Sequence, residues 1–292
     1  MTFGTVAILG PGLIGGSLAL ALAERGLADK LVIYARSARA LDAIRTAGVD
    51  AELTGNPSEA VRDADVVILC VPIEAMPALV NEFRDALKPT ALVTDVGSVK
   101  GTVDRDLAPL LEDRALWIGS HPMAGSEQAG FTAARADLFV GAAVIVTPTK
   151  HTQKTAERRA IKFWELLGAR LYLLKPEDHD LAVAEISHMP HFVAAVLAGK
   201  VNLEFLPFAG GGFRDTTRIA SGSSELWTEI LWANRHALKS HCSSWSTIMK
   251  NFEGVFSGND PMRKSELFKI LKDAQSVRSQ LPEKDSALSK RS

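Results

Sequence analysis

The chain has 292 residues, of which 47% are hydrophobic and 23% charged, and its formal net charge is −1. This length allows two domains, and the composition is that of a soluble globular protein. A near-neutral chain without a basic block is not expected to bind nucleic acid or an anionic membrane surface. A membrane span needs about 18 consecutive apolar residues, and the sequence has no apolar run of that length.

The first part of the chain alternates short apolar runs with helical stretches. We predict strands at 6–9, 31–34, 66–71, 91–95, 116–118 and 143–146, with a last strand at 169–174. Helices are predicted between them at 17–25, 38–47, 76–87, 99–111 and 152–167. Nearly all-apolar strands that alternate with helices indicate a buried parallel sheet with helices on both faces. The fold class is therefore α/β, with a doubly wound sheet in a first domain at 1–175.

Beyond Lys175-Pro176 the pattern becomes helical. Long helices are predicted at 178–198, 225–249 and 263–281, without a convincing strand between them, and a proline- and glycine-rich connection is predicted at 207–212. We therefore predict a second, all-helical domain at 176–292. Its apolar helical stretches at 186–201 and 226–238 indicate an interface between two copies of the chain, so we expect a homodimer.

A glycine turn, GPGLIG at residues 10–15, joins the first predicted strand to the first predicted helix. Its residues Gly10, Gly12, Leu13, Ile14 and Gly15 are the candidate cofactor contacts. The first glycine permits the tight turn, the second lets the backbone approach a pyrophosphate, and the third lets helix and strand pack closely. The motif alone also fits an ordinary glycine-rich turn. The flanking strand and helix favour nucleotide binding and a Rossmann-type domain.

The residues that follow the second predicted strand indicate which nicotinamide cofactor binds. An acidic residue at this position would hold the ribose 2′-hydroxyl of NAD, but the chain has Arg36, Ser37 and Arg39 there instead. These side chains are donors that suit a 2′-phosphate. We therefore favour NADP, with NAD as the possible alternative. Arginines in a solvated surface loop are the other interpretation.

Three loops at the carboxyl ends of predicted strands are expected to meet at one crevice. Val71 and Pro72 end one strand and are expected to lie along the nicotinamide. The loop 95–101 leaves the next strand, and the loop 119–127 leaves the one after it. His121 lies in this last loop, where a histidine can accept a proton near neutral pH. The alternative is a histidine that caps a turn.

The remaining histidines are weaker candidates. His188 and His191 are three residues apart, so a helix would place them on one face. Such a pair can ligate a metal, but no neighbouring carboxylate or cysteine pattern supports this, and we predict no metal site. We expect the pair to line the cleft. The other histidines are assigned to surface or helix positions: His151, His179, His236 and His241.

A second glycine-rich segment, GGGFRDTTRIA at 210–220, carries two arginines. Its three glycines let the backbone pass close to a ligand, and we place Gly211 at the substrate. If the segment is helical, Arg214 and Arg218 share a face, and either can clamp a carboxylate. An ion pair with Asp215 in solvent is the alternative, and it fits Arg214 better than Arg218.

Five motifs occur together and in order: GPGLIGGS at 10–17, DVGSVKG at 95–101, SHPMAGSEQAG at 120–130, SHMPH at 187–191 and GGGFRDTTRIA at 210–220. In these motifs the chain resembles the prephenate/arogenate dehydrogenase (cyclohexadienyl dehydrogenase) family of tyrosine biosynthesis, from about residue 4 to about residue 250. The resemblance implies a nucleotide-binding domain followed by a helical dimerisation domain. It also implies the oxidation of prephenate or L-arogenate at ring C4 with loss of the ring carboxylate as CO2.

The resemblance also implies roles for individual residues. His121 would hydrogen-bond the 4-hydroxyl and assist its deprotonation, Ser98 would hold that hydroxyl and the histidine in register, and Arg218 would pair with a substrate carboxylate. The other implied site residues are His188, Glu127 and Trp227. The stretch beyond about residue 250 is shorter than the regulatory domain of some members, so we expect tyrosine, if it inhibits, to bind at the active site.

Two other functions remain as alternatives. One is another dehydrogenase or reductase of similar architecture, such as a β-hydroxyacid dehydrogenase or a pyrroline-carboxylate reductase. The other is a non-catalytic redox sensor that binds NADP. The two cysteines, Cys70 and Cys242, form no disulfide framework, and the first strand begins too early for a signal peptide, so we expect a cytoplasmic protein.

Overall fold

A six-stranded parallel sheet forms the centre of the first domain. The computed structural model describes residues 2–125, 128, 130–256 and 261–281. The sheet has the strand order β3-β2-β1-β4-β5-β6. Its strands are β1 (Thr5–Leu9), β2 (Lys30–Tyr34), β3 (Glu52–Thr54), β4 (Val66–Leu69), β5 (Leu92–Asp95) and β6 (Leu116–Trp117). This order, with its reversal beside β1, is that of a Rossmann-type doubly wound sheet, as predicted.

Helices cover both faces of this sheet. Successive strand residues point to opposite faces, and they are apolar on both, so each face must be covered. In β1, Val6 and Ile8 pack in one hydrophobic cluster, whereas Ala7 and Leu9 pack in another. Burial of each large apolar side chain stabilises the fold by roughly 1.5–3 kcal/mol. The helices of this part are α1 (Leu13–Glu24), α2 (Ala38–Thr46), α3 (Pro57–Val61), α4 (Met76–Phe83), α5 (Gly101–Leu111) and α6 (Lys154–Leu166).

A second sheet corrects the prediction of one continuous sheet. Its three strands are β7 (Gly119–Pro122), β8 (Ala143–Thr147) and β9 (Arg170–Leu173), with β7 antiparallel and β9 parallel to β8. The segment 119–122 was predicted as a loop because it lacks a run of β-branched residues. All four of its residues are nevertheless buried. The short elements β3 and α3 were also missed by the sequence analysis.

The part of the chain after β9 is helical, as predicted. Its helices are α7 (Pro176–Val183), α8 (Met189–Lys200), α9 (Gly211–Thr217), α10 (Ser224–Ala233), α11 (Arg235–Phe256) and α12 (Pro261–Ser279), and a π-helical turn, Ala184–His188, joins α7 to α8. The helix predicted at 225–249 is two helices that meet at Asn234. The chain divides into two compact units, Met1–Leu238 and Lys239–Ser292.

One helical run within the described residues, Pro176–Lys200, is long and apolar enough by length and composition to cross a membrane. An 18-residue stretch of it has a mean hydropathy of 1.5, and 33% of that stretch is buried in the protein. This run was not predicted from the sequence because polar residues interrupt its apolar residues. The run includes the buried polar residues His179, His188 and His191. Core helices of globular proteins pass the same test of length and composition.

Candidate active site

The glycine turn at the end of β1 is shaped by steric constraints at two positions. Gly10 has φ +104° and donates its N–H to the Tyr34 carbonyl at 3.0 Å. A Cβ on Gly10 would lie 2.5 Å from the Cys70 carbonyl oxygen, and one on Gly15 would lie 2.1 Å from the Gly10 carbonyl oxygen. Only glycine fits both positions without a shift of the backbone. The turn thus brings the first turn of α1 close to β1 and to the end of β4.

The backbone at Gly12 borders open space at the N-terminus of α1, which could hold the pyrophosphate of a dinucleotide. A Cβ on Gly12 would meet no atom within 4 Å, and Gly12 is the N-cap of α1. No side chain caps this helix, and its first turn has no acidic residue, so its amide groups face an open space. Leu13 and Ile14 form the first turn of α1, which therefore begins four residues earlier than predicted.

The other candidate cofactor residues lie at the same edge of the sheet. Arg36, Ser37 and Arg39 are exposed and follow β2, which pairs with β1 up to the end of both strands. Ser37 is the N-cap of α2, and its Oγ accepts the Ala40 N–H at 3.3 Å. Beyond β4, Val71 is half-buried and Pro72 is exposed. The Val71 side chain would lie 2.9 Å from a Cβ placed on Gly10.

His121 lies on β7 and not in a loop, which corrects the prediction. Its side chain is buried, and the preceding residue, Ser120, is anchored to the last two residues of β5. The Ser120 N–H donates to Asp95 Oδ1 at 3.1 Å, and the Ser120 Oγ lies 2.9 Å from Thr94 Oγ1. Since β5 is two strands from β1, His121 lies near the carboxyl edge of the sheet that carries the glycine turn. A strand holds this ring more rigidly than a loop would.

His179 contacts the candidate base His121, which was not predicted from the sequence. The predicted helix position of His179 is confirmed, on α7, but its side chain is completely buried, and its Nε2 lies 2.8 Å from His121 Nδ1. His179 Nδ1 lies 2.8 Å from Asp180 Oδ1. Asp180 also accepts the backbone N–H of Lys100 at 2.7 Å and that of Gly101 at 2.8 Å. The adjacent His-Asp pair was visible in the sequence, but its contact with a residue 58 positions away was not.

A buried ion pair contacts the backbone of β7. The Lys100 ammonium pairs with the Asp95 carboxylate, and both side chains are at most 1% exposed. Lys100 Nζ also donates to the Ser120 carbonyl at 2.8 Å. Burial lowers the pKa of Lys100, whereas the Asp95 charge opposes this shift. Ser98 lies half-buried in the loop between these two residues and makes no side-chain hydrogen bond to a described residue.

The buried histidines of the site are held in the neutral form. Burial lowers the pKa of His121 well below its ordinary value of 6.5, and the charges of His179, Lys100 and His188 would act in the same direction. Burial also lowers the pKa of His179, against the attraction of Asp180, and it lowers that of His188 to about 4. At neutral pH, His121 is therefore available as a proton acceptor.

His188, His191 and Trp227 form an aromatic group on α8, α10 and the π-helical turn. His188 Nδ1 lies 2.9 Å from the Asn234 amide nitrogen, which acts as the donor, so His188 Nε2 carries the hydrogen. The half-buried Trp227 ring stacks on His191 with centroids 3.4 Å apart and meets His188 edge-on at 6.2 Å. Within the described residues, no group of three His, Cys, Asp or Glu side chains could hold a metal ion.

The arginine segment differs in detail from the prediction. Gly211 begins α9, and the helix ends at Thr217, so Arg218 begins a 3₁₀ turn, Arg218–Ser221. Arg214 and Arg218 are both exposed and are not on one continuous α-helix. The Arg214 Nε donates to the Ala209 carbonyl at 3.3 Å, and no ion pair with Asp215 is described. Both α9 and the turn that carries Arg218 pack against α8. The predicted site residue Glu127 lies outside the described residues.

Known proteins match this chain along nearly its whole length. The nucleotide-binding domain of prephenate dehydrogenase matches residues 18–173, and its dimerization domain matches residues 175–273. A cyclohexadienyl dehydrogenase of Zymomonas mobilis subsp. mobilis is 34% identical over 265 residues, which cover 88% of this chain and 90% of that relative.

Solved structures of the same family are similar to this one, for example the following two. The prephenate dehydrogenase of A. aeolicus, in complex with hydroxyphenyl propionate and NAD+, has a TM-score of 0.88 and 29% identity, covering 97% of this chain and 99% of that chain. The arogenate dehydrogenase of Synechocystis has a TM-score of 0.78 and 32% identity, covering 94% and 99%. The two family domains together span most of the described residues, and the fold agrees with them: the chain belongs to the prephenate dehydrogenase family.

Proposed function

We propose that this enzyme oxidises and decarboxylates prephenate or L-arogenate, with His121 as the base and NADP as the preferred cofactor. The products are 4-hydroxyphenylpyruvate or L-tyrosine. The membership of the chain in a family of NAD(P)-dependent dehydrogenases supports this reaction. The main structural support for this reaction is the buried, neutral His121, which lies near the sheet edge where the glycine turn leaves room for a dinucleotide.

The reaction requires one base and a means of orienting the substrate. Bound NAD(P)+ supplies the acceptor for the hydride that leaves ring C4. His121 Nε2 takes the proton of the C4 hydroxyl, which leaves a carbonyl at C4. The bond to the ring carboxylate then breaks, CO2 leaves, and the electron pair of that bond makes the ring aromatic. The resulting phenolate takes the proton back from His121, which regenerates the neutral histidine.

The remaining candidate residues serve to hold the substrate. We assign Arg218 to a carboxylate of the substrate, because a guanidinium can pair with it through two hydrogen bonds. Ser98, whose hydroxyl has no described partner, is assigned to the C4 hydroxyl. The His188 Nε2–H is a donor for a polar group of the substrate, as its Nδ1 is already bonded to Asn234. Trp227 and Gly211 are assigned to the wall of the site and Glu127 to its entrance.

Replacement of His121 by asparagine tests the base. We expect His121→Asn to lower kcat by about 10²–10⁴ with a smaller effect on KM, because proton removal is lost while the binding groups remain. His151→Asn is the matched control, since His151 is exposed in a turn. An unchanged kcat in His121→Asn would refute the assignment of the base.

The preference for NADP rests on Arg36, Ser37 and Arg39 at the end of β2. A hydrogen bond to a charged group contributes about 1.5–3 kcal/mol, so the loss of Arg36 corresponds to roughly a 10- to 100-fold weaker binding of NADP. We therefore expect Arg36→Asp to raise the KM for NADP and to leave that for NAD unchanged or lower. Arg62→Asp, at an exposed position after α3, is the control. Equal losses for both cofactors would contradict the assignment.

The match to a dimerization domain indicates a homodimer. We further propose that the dimer works in the cytoplasm and that the run Pro176–Lys200 is a core helix and not a membrane span. We also propose that tyrosine inhibits the enzyme by occupying the substrate site. A monomeric mass in light scattering would contradict the dimer. Inhibition by tyrosine that is non-competitive with the substrate would contradict the shared site.

A further inference from the structure

A chain of hydrogen bonds leads from His121 away from its reactive nitrogen. His121 Nδ1 lies 2.8 Å from His179 Nε2, and His179 Nδ1 lies 2.8 Å from Asp180 Oδ1. Both histidine side chains are buried, and the Asp180 side chain is 13% exposed. His179 meets no substrate or cofactor group in the mechanism described above, so its contact with His121 needs an explanation of its own.

The direction of these hydrogen bonds is set by Asp180. Both oxygens of its carboxylate accept backbone N–H groups, from Lys100 and Gly101 at the start of α5. An ionised carboxylate can only accept, so His179 Nδ1 must carry a hydrogen. In the neutral ring, His179 Nε2 is then an acceptor, and the hydrogen between the two rings belongs to His121 Nδ1. The lone pair of His121 is thereby left on Nε2.

We propose that His179 and Asp180 are positioning residues that fix His121 in the tautomer required of the base. This inference rests on the proposed function, in which Nε2 takes the substrate proton. The free imidazole ring has two tautomers, and only the one with its hydrogen on Nδ1 has a lone pair on Nε2. When His121 is protonated during the reaction, its Nδ1–H becomes a stronger donor, and His179 Nε2 stabilises the positive charge.

Two substitutions at His179 separate this role from a general structural one. His179→Phe fills the space but removes the acceptor for His121 Nδ1, whereas the amide oxygen of His179→Gln can replace that acceptor. We expect His179→Phe to lower kcat at least 100-fold with less than a threefold change in either KM, and His179→Gln to recover kcat to within tenfold. His151→Phe, at an exposed turn, is the matched control. If the phenylalanine variant does not fold, His179→Leu removes the same acceptor with a smaller side chain.

A double-mutant comparison adds a second criterion. A positioning residue acts only through His121, so His179→Phe should cost less than threefold when added to His121→Asn. If it lowers the residual activity by the same factor as in the original enzyme, or if His179→Gln is as impaired as His179→Phe, the proposal is wrong.

The tautomer itself can be measured without turnover by nitrogen NMR of the full-length protein labelled at histidine. We expect the His121 resonances to show a hydrogen on Nδ1 in the original chain and a mixture of tautomers in His179→Phe. A hydrogen on His121 Nε2 in the original chain, or the same single Nδ1–H tautomer in both proteins, would overturn the proposal. Because this measurement needs no substrate, it stands even if both substrates fail to turn over, which would contradict the proposed function alone.

Discussion

The buried ion pair between Lys100 and Asp95 allows a quantitative prediction of stability. In Lys100→Met, the Asp95 carboxylate stays fully buried and keeps the N–H groups of Gly97 and Ser120, but it loses its cation. Removal of one partner of a buried pair leaves an uncompensated charge and costs about 3–5 kcal/mol. The Ser120 carbonyl also loses its Lys100 donor, so the variant is expected at the upper part of that range.

Equilibrium unfolding in urea measures this loss of free energy. The matched control is Lys88→Met, because the Lys88–Asp65 pair at 3.0 Å is more than one-third exposed on both sides and should contribute at most about 1 kcal/mol. In the double variant Asp95→Asn/Lys100→Met the unpaired charge is absent, so it should recover most of the stability lost in Lys100→Met. A loss of less than about 1 kcal/mol in Lys100→Met, or no recovery in the double variant, would show that the unpaired Asp95 charge is not the cause of the instability.

Two further predictions concern the glycine turn and the buried histidines. Gly15→Ala should lower the free energy of unfolding by about 1–3 kcal/mol, because its Cβ would lie 2.1 Å from the Gly10 carbonyl oxygen, whereas Gly12→Ala should keep the Tm and weaken only NADP binding. Calorimetry with and without NADP distinguishes these effects, and an equal loss of Tm in both variants would contradict the assignment. His188 is neutral in the native protein down to a pKa of about 4 but becomes protonated below 6.5 when unfolded. Its contribution of about 3 kcal/mol should therefore be lost as pH falls from about 6.5 to about 4. The pH dependence of unfolding should be smaller by this amount in His188→Gln, where only the part due to the other buried histidines remains, and unchanged in His151→Gln.

The sequence predicted the parallel sheet because its strands are uniformly apolar and separated by amphipathic helices. It did not predict β7, because the four residues Gly119–Pro122 have low strand propensity and become a strand only through pairing with β8. The same tertiary pairing moves His121 from a predicted loop to a rigid strand. Local sequence patterns carry no information on such pairing.

The prediction of the candidate site depends on local motifs. The glycine turn and the arginine-rich end of β2 are read from adjacent residues. The link from His121 to His179 was not predicted, since it joins residues 58 positions apart through the packing of α7 near β7 and α5. The burial of Lys100 was likewise not visible, because a lysine in a loop is ordinarily solvated and only its pairing with Asp95 allows it to be enclosed.

We propose that this chain transfers hydride from prephenate or L-arogenate to a nicotinamide cofactor. The most direct measurement follows the near-ultraviolet absorbance of the reduced nicotinamide, with purified protein, either substrate, and either NADP or NAD. We expect turnover in at least one of the four combinations, with NADP preferred. Turnover with NAD alone would contradict the assignment of Arg36 and Ser37. If the cofactor binds but no combination shows turnover, the proposed dehydrogenase activity is wrong, and a non-catalytic sensor is favoured.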